Sequence, residues 1–171
     1  DVTSRDDPRV AEAPTEYDVV STLKELGHDV FNIGVKDELG PLRNAIELYK
    51  PEIVFNLLEE FRGFAHYDAH VVGYLELNGI PYTGCNPRGL MLARDKALSK
   101  KVLSYHRIRV PQFAVFRLGK KTKRPTKLEL PLIVKSLNEE ASLGISKTSL
   151  VDSDEKLAER VQFIFDRIHT D

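Results

Sequence analysis

The feature that most constrains this chain is an alternation in its first half. Segments with apolar residues at helical spacing alternate there with short apolar runs of strand length, and the connections are only a few residues long. Thr15 reads as an N-cap, followed by Tyr17, Val19, Val20, Leu23 and Leu26 at helical spacing, with Gly27 as the stop. Val30–Val35 reads as a strand. Pro41 then sits in the first turn of a helix that runs to about Tyr49, ahead of Lys50-Pro51. Ile53-Val54-Phe55-Asn56-Leu57 has the length and apolar continuity of a parallel strand buried on both faces. A charged loop leads to a third helix from His66 to Asn78, closed by Gly79, and Ile80–Gly84 forms a short strand and turn. This order predicts an α/β arrangement, a parallel sheet flanked by helices. Residues 1–14 are polar and proline-punctuated and predict a poorly ordered tail, with no strand ahead of the first helix.

The pattern changes after about residue 90. Asp95 caps a helix from Lys96 to about His106, with Leu98, Val102 and Leu103 on its apolar side. Phe113–Phe116, Leu132–Lys135 and Ile145–Leu150 read as strands, and Asp152 or Ser153 caps a last helix through Leu157, Val161, Ile164 and Ile168. Strands joined by loops rather than helices predict antiparallel pairing and a second domain.

Charge divides along the same line. Residues 1–95 carry 9 Lys/Arg against 17 Asp/Glu, a balance of −8, whereas residues 96–171 carry 16 against 9, a balance of +7; together they give the overall −1. A basic half beside an acidic one points to a polyanionic ligand on the basic side. Six of those cations, Arg117, Lys120, Lys121, Lys123, Arg124 and Lys127, crowd one loop, where a solvated surface is the plainer reading. Aromatics are not interleaved with them, which argues against a nucleic-acid partner. The single Cys85 excludes a disulfide framework, and no apolar run reaches the roughly 18 residues of a membrane helix. Together with the absence of a signal-peptide pattern at Asp1–Pro8, this predicts a soluble, cytoplasmic protein with no membrane partner.

Lys135 ends an apolar strand just ahead of Ser136-Leu137-Asn138-Glu139-Glu140-Ala141-Ser142-Leu143-Gly144. A lysine there can present a point charge to a phosphate, and Ser142 and Gly144 allow close approach of a hydroxyl and backbone N–H groups. The Gly-x-x-x-x-Gly-Lys-Ser/Thr spacing of a P-loop is absent. Alone, a lysine at a strand end is commonplace.

The order of several motifs is more specific. Leu75-Glu76-Leu77-Asn78-Gly79-Ile80-Pro81-Tyr82-Thr83-Gly84 is followed by Asp95-Lys96, Ile108-Arg109-Val110-Pro111, Leu130-Pro131-Leu132-Ile133-Val134-Lys135, then Glu139, Ser142, Gly144 and Ser146-Lys147. This succession, over residues 16–170, resembles the D-alanine–D-alanine ligase branch of the ATP-grasp superfamily. The resemblance implies a Rossmann-like, pre-ATP-grasp domain over residues 15–90. It implies the first, α+β portion of an ATP-grasp domain over residues 91–171, an incomplete one. By the same resemblance Lys96 and Lys135 match the lysines that contact ATP phosphates. Glu139, Ser142 and Gly144 fall in the loop that closes over them, with Ser142 the candidate catalytic donor. The implied reaction transfers the γ-phosphoryl of ATP to a carboxylate, and an amine attacks the acyl phosphate to give an amide. Small-molecule carboxylate and amine substrates and Mg²⁺ are thus expected, with the metal ligands beyond Asp171 and none within the chain. A fragment of a longer enzyme, inactive alone and prone to self-association through an exposed apolar face, is the matching expectation.

The family's His-Gly loop followed by Glu-Asp is replaced here by Glu59-Glu60-Phe61-Arg62-Gly63-Phe64-Ala65-His66-Tyr67-Asp68, and Glu140-Ala141 stands where Gly-Ser is usual. Glu59 and Glu60 are candidates to meet an amine substrate, or simply solvated. His66 and His70 are spaced i, i+4, yet solvent-facing histidines are the plainer reading than a metal pair. Cys85 is expected to be a small buried thiol rather than a nucleophile. Arg88 and Arg94 read equally well as surface residues or as cleft residues. The alternative from another class is a non-catalytic nucleotide- or nucleic-acid-binding module.

Overall fold

A computed structural model of the chain describes residues 13–138 and 145–168. The residues up to Phe64 together with Tyr74–Gly84 form one unit, and Ala65–Gly73 with the residues from Cys85 onward form another. The described residues are mixed helical with one small two-stranded sheet.

In the first unit α1 spans Pro14–Glu25, and Ala13 rather than Thr15 holds the N-cap position. Pro14 supplies the helical φ of the first turn, and Ala13 makes no side-chain cap. Helix α1 ends as predicted at Gly27, whose φ of +87° lets Gly27 N–H reach the Lys24 carbonyl and His28 N–H reach that of Leu23. Helix α2, Gly40–Tyr49, has Pro41 in its first turn and buries Leu42. The expected strand at 30–35 is not formed; Phe31 instead stacks on Tyr49, with ring centroids 4.0 Å apart. Of the strand expected at 53–57, one parallel bridge exists, Val54 to Tyr82. Val54 N–H donates to Pro81 O at 2.8 Å and Thr83 N–H to Val54 O at 3.0 Å. Ile53 and Phe55 alternate with Val54 and are exposed, so this run is not buried on both faces as a central strand would be.

Helix α3, Asp68–Leu77, follows a 3₁₀ turn at Ala65–Tyr67. Gly79 closes α3 with the geometry seen at Gly27, Gly79 N–H bonding to Glu76 O and Ile80 N–H to Leu75 O. In the second unit, α4 (Pro87–Arg94) is a helix the sequence reading passed over. Asn86 caps it by accepting from Gly89 N–H at 2.9 Å, and Pro87 opens its first turn. Helix α5 (Lys96–Tyr105) is capped by Asp95, as expected.

Strand β1 is Leu132–Ile133 and β2 is Leu150–Val151, antiparallel with Leu132 opposite Val151 and Ile133 opposite Leu150. Phe113–Phe116 forms no strand, and the strand expected over 145–150 is mostly a 3₁₀ turn, Lys147–Ser149. Ser146 and Ser149 cap that turn reciprocally, so their hydroxyls take backbone groups that a ladder would otherwise have paired. Helix α6 (Asp154–Ile168) lays Leu157, Val161, Ile164 and Phe165 on Val134 and Val151, with Phe116, Leu130 and Leu132 at the edge of this core.

Candidate functional site

Asp95 Oδ1 accepts from the N–H groups of Ala97 at 2.9 Å and Leu98 at 2.8 Å, which fixes the start of α5 and places Lys96 as its first residue. Lys96 N–H donates to Leu137 O at 3.4 Å, and Lys96 Nζ donates to the same carbonyl at 3.3 Å. Two residues earlier, Lys135 leaves the end of β1 with an exposed side chain, while Val134 N–H donates to Ser149 O at 2.9 Å. Ser136 between them is buried. The structure therefore brings Lys96 to the strand-end segment that carries Lys135. Ammonium groups so placed are point charges suited to an anion of phosphate type. Glu139, Ser142 and Gly144 lie outside the described residues. Glu59 and Glu60 belong to the other unit, where both are exposed beside the Phe61–Phe64 turn. Arg62 N–H and Nε hold that turn to the carbonyls of Lys36 and Asp37, at 2.7 and 2.8 Å.

The basic loop is not a uniform patch. Arg124 Nε pairs with Asp154 Oδ1 at 2.6 Å and its Nη1 donates to Leu128 O at 2.5 Å, so one of the six cations is spent on the start of α6. The hydrogen bond from Arg124 Nε, chiefly, holds the Asp154 carboxyl below its ordinary range; the one from Lys156 does the same for Asp152. Glu155 is lowered by its own backbone N–H and then by Ser153. All three acids sit where the helix N-terminus favours negative charge.

Arg94 belongs to neither of its two expected settings. Its Nη2 meets Asp68 Oδ2 at 2.6 Å, with both side chains buried, and Asp68 Oδ1 accepts from Ala69 N–H. Sequence reasoning missed this pair, because 26 residues separate an aspartate at one helix start from an arginine at another helix end. Cys85 is exposed rather than buried, a correction to the expectation; its Cβ and sulfur lie beside Gly89 at the start of α4, where a Cβ on Gly89 would meet them at 3.1 and 3.6 Å. His66 and His70 are exposed, each with its ring against Tyr67. Among the described residues no group of three or more His, Cys, Asp or Glu is gathered as a metal ion would require, and no helix is long and apolar enough to cross a membrane.

No protein-family model matches the chain. It is 35% identical over 147 residues to a D-alanine–D-alanine ligase of Syntrophotalea carbinolica, a match that covers 86% of the chain and 45% of that protein. The chain is a relative of the D-alanine–D-alanine ligases. A second ligase, from Moorella thermoacetica, is 32% identical over 74% of the chain and 41% of its own length. An uncharacterised protein of Sinorhizobium fredii is 31% identical over 85% of the chain and 43% of its own length. The chain thus spans less than half the length of the relatives it matches. The ligase likeness in the Syntrophotalea match is too long to fit within either structural unit alone.

Proposed function

We propose that the whole protein is an ATP-dependent ligase that joins a small carboxylate to an amine, and that residues 91–171 contribute part of its ATP-phosphate surface. The D-alanine–D-alanine ligases among its relatives support the reaction class. One observation supports the site: Lys96, 41 residues away in sequence, lies on the carbonyl of Leu137, two residues past Lys135.

In this reading Lys96 and Lys135 neutralise and orient the phosphates, while Ser142, Glu139 and the backbone at Gly144 approach from the following loop. The γ-phosphoryl group passes to the carboxylate, and the amine displaces phosphate from the acyl phosphate. The lysines' contribution is charge stabilisation on the transferring group, in place before the step occurs. The donor set fits a polyphosphate. Residues 15–90 stand as the preceding α/β domain in the same proposal.

Calorimetry of ATP binding tests it. Lys135→Ala should weaken binding by about 1.5–3 kcal/mol, the worth of a charge-assisted contact. Neutralising Lys120, Lys121 and Lys123 together should weaken it far less. Unchanged affinity in Lys135→Ala would overturn the site, and absence of amino-acid-dependent ADP release by the whole protein would overturn the ligase reading.

A further inference from the structure

Lys135 is exposed, yet the backbone on both sides of it is fastened. On one side Leu137 O receives both N–H and Nζ of Lys96. On the other, Val134 N–H is held by Ser149 O. Ser149 is itself almost wholly buried, at 1% exposure. Its hydroxyl accepts from Arg160 Nη2 at 3.0 Å and from Ser146 N–H at 3.0 Å, and its own N–H donates to Ser146 O at 2.9 Å. Arg160 rises from α6 in the turn between Leu157 and Val161, both core residues, so its stem is set by packing. Its guanidinium lies over the Phe163 ring, 4.3 Å from the centroid, and its second amino group donates to Thr148 Oγ1 at 3.1 Å. A planar fork held at both prongs and by a ring face has little freedom left to lose.

We infer that Arg160 is a positioning residue for Lys135, acting through Ser149 and the Ser149–Val134 hydrogen bond that ends the sheet. This rests on the proposed ATP-phosphate site. Arg160 touches no phosphate in this scheme. It fixes the depth and rotation of Ser149, whose carbonyl sets where β1 stops and hence where the lysine leaves the strand. Of its two hydroxyl contacts the one to Ser149 leads directly to β1. The contact to Thr148 reaches Ser149 only at one remove, through the Thr148–Ser146 hydroxyl pair at 2.7 Å, so it is the weaker route.

The experiment is ATP binding by calorimetry, with the thermal midpoint of every variant measured alongside. Arg160→Met keeps the apolar stem and removes both donors; Arg160→Lys keeps the charge and one donor. Ser149→Ala and Thr148→Val separate the two prongs. Coupling through a packed hydrogen-bonded chain is typically a few-fold to tens-fold in affinity. Arg160→Met and Ser149→Ala should each weaken ATP binding about three- to tenfold, and Arg160→Lys and Thr148→Val less. In a Lys135→Ala background, Arg160→Met should weaken binding no further, because the group it positions is gone. That non-additivity is what a merely stabilising arginine would not produce. Full additivity in the double variant, or equal losses from Thr148→Val and Ser149→Ala, would overturn the inference. If Arg160→Met does not fold, the Ser149→Ala and Lys135→Ala pair gives the same cycle. If Lys135→Ala weakens ATP binding while Arg160→Met and Ser149→Ala leave it unchanged, only this inference fails. If the unaltered protein binds no ATP, the site and the inference fail together.

Discussion

Two apolar stretches of similar composition met different fates. Within Leu130–Lys135, Leu132–Ile133 became a paired strand, and Val134 lies with Val151 in the core under α6. Ile53–Leu57 made one bridge, and Ile53 and Phe55 remain about half exposed, at 56% and 47%. What differs is the partner. Leu132–Ile133 has Leu150–Val151 alongside and a 15-residue amphipathic helix, α6, laid across one face. Among the described residues the run at 53–57 has Tyr82 and its neighbours at its edge and no ladder. An apolar run states that burial would be favourable; a ladder and a covering helix are what bury it.

The largest test of this contrast is a pair of truncations. Leu157→Ala removes a side chain at 2% exposure from the α6 core and should cost about 2–5 kcal/mol by denaturant unfolding. Phe55→Ala, in the half-exposed run, should cost about 1 kcal/mol or less. Equal costs would erase the distinction between the two regions.

A smaller effect separates the helix ends. In the first unit α1 closes on Gly27 at φ +87°, whereas α5 in the second unit closes on Arg107 at φ +61°, with the same pair of bonds from Arg107 N–H to Ser104 O and Ile108 N–H to Leu103 O. The motif is shared, but the residue that must adopt the left-handed conformation is not. Gly27→Ala should therefore destabilise by roughly 1 kcal/mol, and Arg107→Gly should stabilise by up to about 1 kcal/mol, as strain relief is partly offset by the freer unfolded chain. Hydrogen exchange at the amides of His28 and Ile108 would read each end separately. Opposite signs for the two substitutions are the expected result.

The smallest effect is pH-dependent and confined to the start of α6. Asp154, Asp152 and Glu155 have folded-state pKa values below their ordinary ones, so their contribution is complete above the unfolded carboxylate range and is lost as pH falls through the lowered values. Because these groups are exposed, the loss should be slight and further reduced by salt. Protection of the Lys156 and Leu157 amides, relative to their intrinsic exchange rates, should fall in acid before the unit's core opens. In Asp154→Asn that fall should be reduced, and no counterpart is expected at the start of α1.

Much of the local framework was legible because it is encoded within a few residues. Asp95 ahead of α5, Ser153 ahead of α6, Pro41 in α2 and the glycines after α1 and α3 all act on neighbours in the chain. Asn86-Pro87 carried an equally readable helix start and was passed over. Thr15 misled because Pro14 had already opened the helix. Of the candidate site, the sequence supplied Lys96 and Lys135 as residue types at suggestive positions, but not their approach. The contact of Lys96 with Leu137 spans 41 residues, and nothing local in either segment encodes it.

By itself, then, the sequence determined several helix caps and stops, the antiparallel pairing of two of the three expected loop-joined strands, the uneven charge of the two halves and the ligase likeness. Only the tertiary structure decided which apolar runs were buried. It also decided that Cys85 lies exposed, that Asp68 and Arg94 neutralise one another out of water, and that Arg160 grips Ser149 behind Lys135. The reason is range. Caps, turns and helical periodicity are satisfied within about four residues, whereas burial and ion pairing depend on what distant segments bring to the same place.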